Sequence, residues 1–324
     1  MRRLAWLPLA ALCLAAAVVA VAVGPVRLSL GEVWGALAGN ADATVTAIVR
    51  EVRLPRVALA LLVGAALGMS GAVLQGTLRN ALAEPYLLGV SGGAAVGAVV
   101  MVSAGATAPA AVSLAAFGGA VTAVALVLGI ARAAGARGDP RVLLMAGVVI
   151  GAFANAAILV LLANAPGDTV RGALWWMMGS VGAAEWNDAA WLAGALLVAG
   201  APLVHWSRDL DALALGHDSA AALGVEADAA SRRLFLAASL LAAASVASAG
   251  LVGFVGLIVP HIARRLVGVR HRAVLAVAAI AGAALLVLAD LAARTARAPA
   301  ELPLGAVTAL LGVPFFLTLL RRAR

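Results

Sequence analysis

The sequence predicts an all-α, polytopic membrane protein of about ten transmembrane helices, folded as one domain over residues 1–324. Three observations lead there. The chain is 64% hydrophobic and only 12% charged, whereas soluble domains carry roughly 25% charged residues. Its apolar residues fall in runs of about 20, the length that crosses a hydrocarbon core at about 1.5 Å per residue. Its basic residues are distributed unevenly between alternate loops, as membrane topology demands.

The spans fall at about 4–23, 57–78, 87–104, 110–131, 141–163, 189–206, 230–249, 251–267, 273–292 and 304–320. The first follows Arg2 and Arg3 but runs from Leu4 to Val23, long for a signal-peptide core, so it reads as an uncleaved span. Residues 24–56 form the longest outer loop. There Ser29-Leu30-Gly31-Glu32 has the capping-box pattern, and Val33, Trp34 and Leu37 make an apolar stripe, which predicts a short helix on the outer surface. The second span carries Gly64 and Gly68, a small-xxx-small pair suited to close helix contact in lipid. Glu84-Pro85 leads into the third span, with Gly89 behind it. Trp175, Trp176, Trp186 and Trp191 cluster between the fifth and sixth spans, where an interfacial belt and contact with a large flat ligand are both open readings. The eighth span is short and holds Pro260, which removes a backbone hydrogen bond and predicts a broken or tilted helix. In the ninth, Asp290 and Arg294 have i,i+4 spacing and predict an ion pair. Glu301-Leu302-Pro303 leads into the tenth, with Gly305 behind it. The third and tenth spans start on opposite faces, which suggests an inverted repeat of spans two to five on seven to ten.

With the N-terminus inside, sixteen arginines fall on the inner side and seven (Arg27, Arg50, Arg53, Arg56, Arg171, Arg294 and Arg297) on the outer. The asymmetry places both termini in the cytoplasm. All 23 basic residues are arginine. A P-loop ending in Gly-Lys-Ser/Thr and a Schiff-base lysine are therefore excluded, so any ATP used must bind another chain. The net charge of +8 reflects these inner loops and does not point to nucleic acid. The single cysteine, Cys13, excludes an intrachain disulfide and a multi-cysteine metal site.

The inner segment 207–226 differs from the other loops. Asp209 to Gly216 and His217 to Gly224 read as two short helices, with Asp218 as a cap of the second and Gly216 and Gly224 as terminators. Their leucines, Leu213, Leu215 and Leu223, have no membrane to enter, which fits either a partner site or a loop packed on the bundle. His261 follows Pro260 and reads as a hydrogen-bonded structural residue, and no two-histidine metal spacing is present.

Several motifs in order resemble the permeases that import iron chelates, haem and cobalamin. They are Arg53-Leu-Pro-Arg56, Leu62-Val-Gly-Ala-Ala-Leu67, Ser70-Gly71 with Gln75, Asn80-Ala-Leu-Ala-Glu-Pro85 with Leu88-Gly-Val-Ser-Gly92, Gly253-Phe-Val-Gly-Leu-Ile-Val-Pro-His-Ile-Ala-Arg264, and Glu301-Leu-Pro-Leu-Gly305 with Pro314-Phe315-Phe316. Ala81 stands where the family usually has proline. The resemblance implies a permease of the type II ABC importer kind in the bacterial inner membrane, forming a homodimer with the pore at its interface. It implies two ATPase subunits docked on the 209–224 loop through Leu213, Leu215, Gly216, Asp218, Leu223 and Gly224. It also implies a periplasmic binding protein whose acidic residues meet Arg53 or Arg56 and Arg294. From the residues alone, bidentate pairing with a partner carboxylate stands against an internal pair with Glu51 or Glu301, or snorkelling to headgroups. Asn80 and Leu82 resemble part of a cytoplasmic gate, although the same turn simply ends a helix. Ser70, Gln75 and Asn155 are placed in the pathway or in interhelical hydrogen bonds. No cofactor or metal is expected on this chain, since ATP and Mg belong to the partner ATPase.

An ion-coupled carrier is the alternative from another class, but it needs ionisable groups near the midplane, and nearly every acid here falls in a loop or at a span edge. An intramembrane enzyme needs a nucleophile and base or metal ligands at depth, and none is evident. The expected function is therefore ATP-driven import of an iron chelate (ferric siderophore or haem), with cobalamin as the alternative cargo.

Overall fold

The computed structural model of the protein describes residues 6–322 apart from Thr107 and Arg137, without the side chains of Leu87 and residues 319–322. Leu4 and Ala5 of the first predicted span, and Arg2, Arg3, Arg137 and Arg324 of the charge count, lie outside the described residues. Helix α1 spans Leu7–Ala22 and α2 Leu30–Ala38. Helix α3 runs unbroken over Ala43–Thr77, with one wide turn at Ile48–Arg53. A single 3-10 turn at Pro85–Leu88 precedes α4, Val90–Ser103. Then follow α5 Pro109–Ala133, α6 Pro140–Leu162, α7 Gly167–Met178 and α8 Trp186–His205. The short α9 (Ser207–Ala214) and α10 (His217–Ala222) lead to α11 (Ala227–Ala249), α12 (Val255–Val267), α13 (His271–Thr295) and α14 (Leu304–Arg322).

The ten predicted spans correspond to α1, α3, α4, α5, α6, α8, α11, α12, α13 and α14. Six of them (α3, α5, α6, α8, α11 and α13) are long and apolar enough to cross a membrane by themselves. The others are shorter, and α4 and α12 are short because each begins part-way through the bundle. We call the face bearing residues 207–226 the near face. The opposite face, bearing 24–42 and 296–303, is the far face. Helix α2 lies on the far face, held by the full capping box: Glu32 N donates to Ser29 Oγ (3.2 Å) and Ser29 N to Glu32 Oε2 (2.7 Å). It buries Val33 and Ala36 and leaves Trp34 exposed. Helix α7 has no counterpart among the predicted spans. It is only twelve residues long and carries Asp168 and Arg171.

Helix α3 is the axis of the bundle. A Cβ at Gly64 would meet Gly282 O of α13 at 2.2 Å, one at Gly68 would meet Ala278 O at 2.4 Å, and one at Gly71 would meet Gly256 O of α12 at 2.1 Å. Backbone therefore lies on backbone along one face of α3. In lipid this close approach is what holds helices together, because lipid tails are as apolar as the side chains.

The packing pattern obeys an inverted repeat. Helices α3, α4, α5 and α6 correspond in order to α11, α12, α13 and α14. The α3–α13 contact has its counterpart in α11–α5, α4–α5 in α12–α13, α3–α12 in α11–α4 and α4–α6 in α12–α14. Helix α3 runs from far to near face and α11 from near to far. The repeat stands, but on different markers from those in the sequence: the third span matches the eighth, not the tenth. Both of these short helices follow an irregular stretch outside the α-helices, 80–89 (with its 3-10 turn) before α4 and 250–254 before α12.

Gly282→Leu is expected to destabilise the protein by about 3 kcal/mol or more, because the new side chain meets backbone that cannot rotate away. Gly118→Leu, at an open position on α5, should leave it unchanged. Thermal unfolding of both variants in detergent checks this, and equal melting temperatures would contradict the packing.

Candidate functional site

The two irregular stretches meet inside the bundle. Pro85 Cδ lies against Gly256, which itself lies against Leu67 and Gly71 of α3. Gly71 is six residues from the end of α3, or about 9 Å into the bundle from the near face. From the other side, Ala249 and Gly250 line one cavity with Leu59, so residues 250–254 carry the chain into the bundle without helical structure. Backbone there needs polar partners, since lipid supplies none. Ser180 N donates to Ala249 O (2.8 Å) and Leu304 N to Gly179 O (3.1 Å). Phe254, the residue before α12, has φ of 68°, a region costly for a side chain of this size. Its N–H donates to the buried carboxylate of Glu84. One break is thus closed by a side chain from the other.

Pro260 leaves the carbonyl of Gly256, four residues back, without its helical donor. Gln75 supplies it: Nε2 donates to Gly256 O (3.1 Å) and Leu257 O (3.3 Å), and Oε1 accepts from Arg264 Nη1 (2.8 Å). Ser70 Oγ donates to Ala238 O of α11 (2.7 Å). Gln75 and Ser70 are both buried, and the structure places them in interhelical hydrogen bonds, the second of the two readings the sequence left open. His261 Nδ1 lies 2.9 Å from Leu257 O. Asn155 lies exposed in the middle of α6, one turn before the exposed Leu159.

At the near end of α3, Asn80 Oδ1 accepts from Leu82 N (2.9 Å) and Asn80 O from Ala83 N (3.0 Å). The turn ends the helix and presents Leu82 to the surface. In the 207–226 segment Leu215 and Leu223 are 69% and 65% exposed, whereas Leu213 is 1% exposed and packs into the bundle. Leu213 therefore anchors the segment and is not part of its outer surface. Gly216 and Gly224 have φ of 118° and 80°, as helix terminators there require. Gly216 precedes α10 with no side-chain cap, and Asp218 lies exposed in the first turn. The expected Asp218 cap is corrected accordingly. Asp211 accepts from His271 N (2.8 Å) and pairs with His271 Nδ1 (2.7 Å), and Asp209 pairs with Arg233. These contacts fix α9 to α13 and α11.

On the far face the three arginines turn inward. Arg53 Nη1 donates to Val21 O (2.6 Å) and Ala22 O (2.8 Å), and Arg294 Nη2 to Ala20 O (2.5 Å). They take up carbonyls of the last turn of α1, which have no donor within the helix. Arg56, only 7% exposed, grips Asp290 through Nη2 (2.8 Å) and Glu301 through Nη1 (2.7 Å). Arg294 Nε lies 3.5 Å from Asp290, the expected i,i+4 pair. Internal carboxylates and carbonyls thus hold all three in this structure, and Arg56 makes the internal pair with Glu301 that the residues also allowed. Trp176 lines a far-face cavity of about 290 Å³ with Leu59 and Val112. Trp186 Nε1 donates to Arg50 O (3.0 Å), and Trp191 stacks edge-on against Phe117.

A sequence profile of the FecCD transport family matches residues 12–322. The chain belongs to this family. It is 43% identical over 279 residues to the cobalamin import system permease protein BtuC of Halobacterium salinarum, covering 86% of this chain and 74% of that one. It is 38% identical over 307 residues to the hemin transport system permease protein HmuU of Yersinia pestis, covering 93% and 90%. Among solved structures, an inward-facing metal-chelate type ABC transporter superposes with a TM-score of 0.87 at 28% identity, covering 99% of both chains. The protein is therefore a multi-pass membrane permease of the ABC importer class.

The sequence did not single out Glu84, Phe254 or Arg264 individually. Glu84 was marked by its place in an apolar stretch before proline. Phe254 carried no signal, since its backbone angle is set by packing.

Glu301, in the loop before α14, is held below the usual carboxylate range, chiefly by its hydrogen bond from Arg56. A depressed carboxylate contributes stability above its unfolded value of about 4.3, and loses it as pH falls through its folded value. The melting temperature of the wild type should therefore fall faster below about pH 4.5 than that of Glu301→Gln. Parallel curves would contradict the pairing.

Proposed function

We propose that this chain is the membrane-spanning subunit of a binding-protein-dependent ABC importer in the bacterial inner membrane, with both termini cytoplasmic and the near face inside. The observation that carries the reading is the match to the family across almost the whole chain, combined with two exposed leucines on the near face, Leu215 and Leu223. The absence of lysine assigns ATP and Mg to a partner: two ATPase subunits seated on the 207–226 segment, with Gly216, Asp218 and Gly224 shaping the contact. The functional unit is a homodimer with the pathway at the subunit interface. Support for this comes from Asn155, a polar amide exposed on an apolar helix that is better covered by protein or water than by lipid. Leu82 and Asn80 then form the inner constriction. The proposed cargo is an iron chelate, ferric siderophore or haem. Cobalamin is the second reading, favoured by the Halobacterium salinarum relative. All three are metal-centred chelates, and the ligand bound by the cognate binding protein decides among them.

The ion-coupled alternative gains one observation, Glu84 at depth. Its carboxylate is committed to the Phe254 amide, so it serves as a structural acceptor and not as a free proton or ion site.

In proteoliposomes the chain with its ATPase, binding protein and cargo is expected to import the cargo only with ATP. Leu215→Asp with Leu223→Asp should cut uptake at least about tenfold while the permease still folds. Uptake by the permease without any ATPase would refute the ATP-driven reading.

On the far face the proposed docking passes through Arg56, with Glu301 as the exchangeable partner. Glu301 is the more exposed of its two carboxylates, so an acid of the binding protein displaces it while Asp290 stays. Glu301→Gln, which removes the competing charge, should tighten binding-protein affinity by about threefold or more. Unchanged or weaker binding would exclude the exchange. Charge reversal at Arg56 is a poor probe, because it strands two carboxylates and costs roughly 3–5 kcal/mol in fold.

A further inference from the structure

A cavity of about 740 Å³ opens on the near face between the end of α3, α9 and the α12–α13 turn. Its charges are unbalanced. Arg79, Arg264 and Arg270 line it against one acid, Asp211, and Asp211 is already committed to His271. Arg264 is half-buried, and its hydrogen-bond partner is the neutral Gln75 Oε1. No carboxylate lies within ion-pair distance of Arg264 among the described residues. A partly desolvated guanidinium with only a neutral acceptor is under-compensated, and an arriving carboxylate can make paired charge-assisted bonds to it.

The rim identifies the kind of partner. Leu215 on one side and Val269 on the other are 69% and 77% exposed, at loop tips that project from the near face. Large apolar side chains left in water beside a half-buried arginine mark a surface that another protein covers, and Arg is among the residues enriched at the centre of such contacts. A lipid headgroup would satisfy the charge but leave both side chains in water.

We propose that this cavity receives an aspartate or glutamate side chain carried on an apolar segment of the ATPase subunit, and that Arg264 is the group it pairs with. The inference rests on the ATP-driven reading above and specifies a contact beyond the tips of α9 and α10. Its mechanical consequence follows from the hydrogen bonds already described. Arg264 holds Gln75 Oε1, and Gln75 Nε2 holds the carbonyls of Gly256 and Leu257 at the start of α12. Those residues adjoin Phe254, which Glu84 caps. A carboxylate that draws on Arg264 therefore acts, through one amide side chain, on the point where the two helix breaks meet. The ATPase thus gains a line to mid-depth that does not run through the 207–226 segment.

The test uses the full-length permease in nanodiscs with its ATPase subunit. Arg264→Gln keeps a donor for Gln75, and Arg264→Glu reverses the charge. Size-exclusion profiles and melting temperatures confirm that each variant is folded. Arg264→Gln should weaken ATPase binding by about tenfold and flatten its salt dependence, and Arg264→Glu should weaken it further. Exchanging one acidic residue of the ATPase for arginine should restore binding to Arg264→Glu. Wild-type affinity and wild-type ATP-to-cargo stoichiometry in both folded variants would overturn the proposal. So would native mass spectrometry showing phosphatidylglycerol retained by the wild type and lost from both variants while ATPase affinity stays constant, which would make the cavity a lipid site. Failure of the wild type itself to bind any ATPase subunit would instead remove the import reading, and this proposal with it.

Discussion

The contact of α3 with α12 and α13, backbone against backbone, is the constraint on which the rest of the structure depends. Gly64, Gly68 and Gly71 leave no room for a methyl group against Gly282, Ala278 and Gly256. Lipid gives no drive to bury apolar side chains, so such close contact is the main source of helix association. The consequence is geometric. Helix α3 becomes a fixed post spanning both faces, with Arg53 and Arg56 at one end and Gln75, Arg79 and Asn80 at the other. Each candidate site is held at the register this post dictates.

The inverted repeat explains where the irregular backbone lies. Each half contributes one interrupted helix, α4 or α12, and the two interruptions face each other beside the post. Exposed peptide groups at such depth cost several kcal/mol each unless paired. Here the pairing is done by side chains that reach across elements: Glu84 accepts from Phe254 N, and Gln75 donates to the Gly256 carbonyl freed by Pro260 and to Leu257 O beside it. A side-chain hydrogen bond is easier to exchange than a helical ladder. The meeting point of the two breaks is therefore the part of the bundle whose geometry can change at least cost, while the glycine contacts cannot.

What the sequence disclosed and what it hid divide along one physical line. Period and hydropathy are local, so the ten spans, the Ser29–Glu32 capping box, the terminators Gly216 and Gly224 and the Asp290–Arg294 pair were all legible. Partnerships across the chain were legible only as alternatives. An internal pair with Glu301 is one open reading of Arg53-Leu-Pro-Arg56, but nothing in the motif chooses it or announces the second carboxylate, Asp290. Gln75 reads equally as a pathway residue or an interhelical hydrogen bond until Pro260 of another helix is seen to need its donor. Helix α7 was missed for a local reason: Asp168 and Arg171 dilute its hydropathy below that of a span.

The two ends of α3 show opposite electrostatic designs. At the far end Arg56 is matched by two carboxylates, so an acid arriving there must compete with Glu301 and gains only the difference between two similar ion pairs. At the near end Arg264 rests on a neutral amide, so an acid arriving there gains most of the strength of a new pair while leaving no carboxylate stranded. Equal partner charges would therefore bind unequally at the two faces, weakly and exchangeably on the far side and firmly on the near side. That inequality fits the roles proposed for the two faces, an exchangeable partner on the far side and a resident one on the near side, and it is built from carboxylate placement: Asp290 and Glu301 hold Arg56, whereas Asp211 is bonded to His271 and Arg264 is left on a neutral amide.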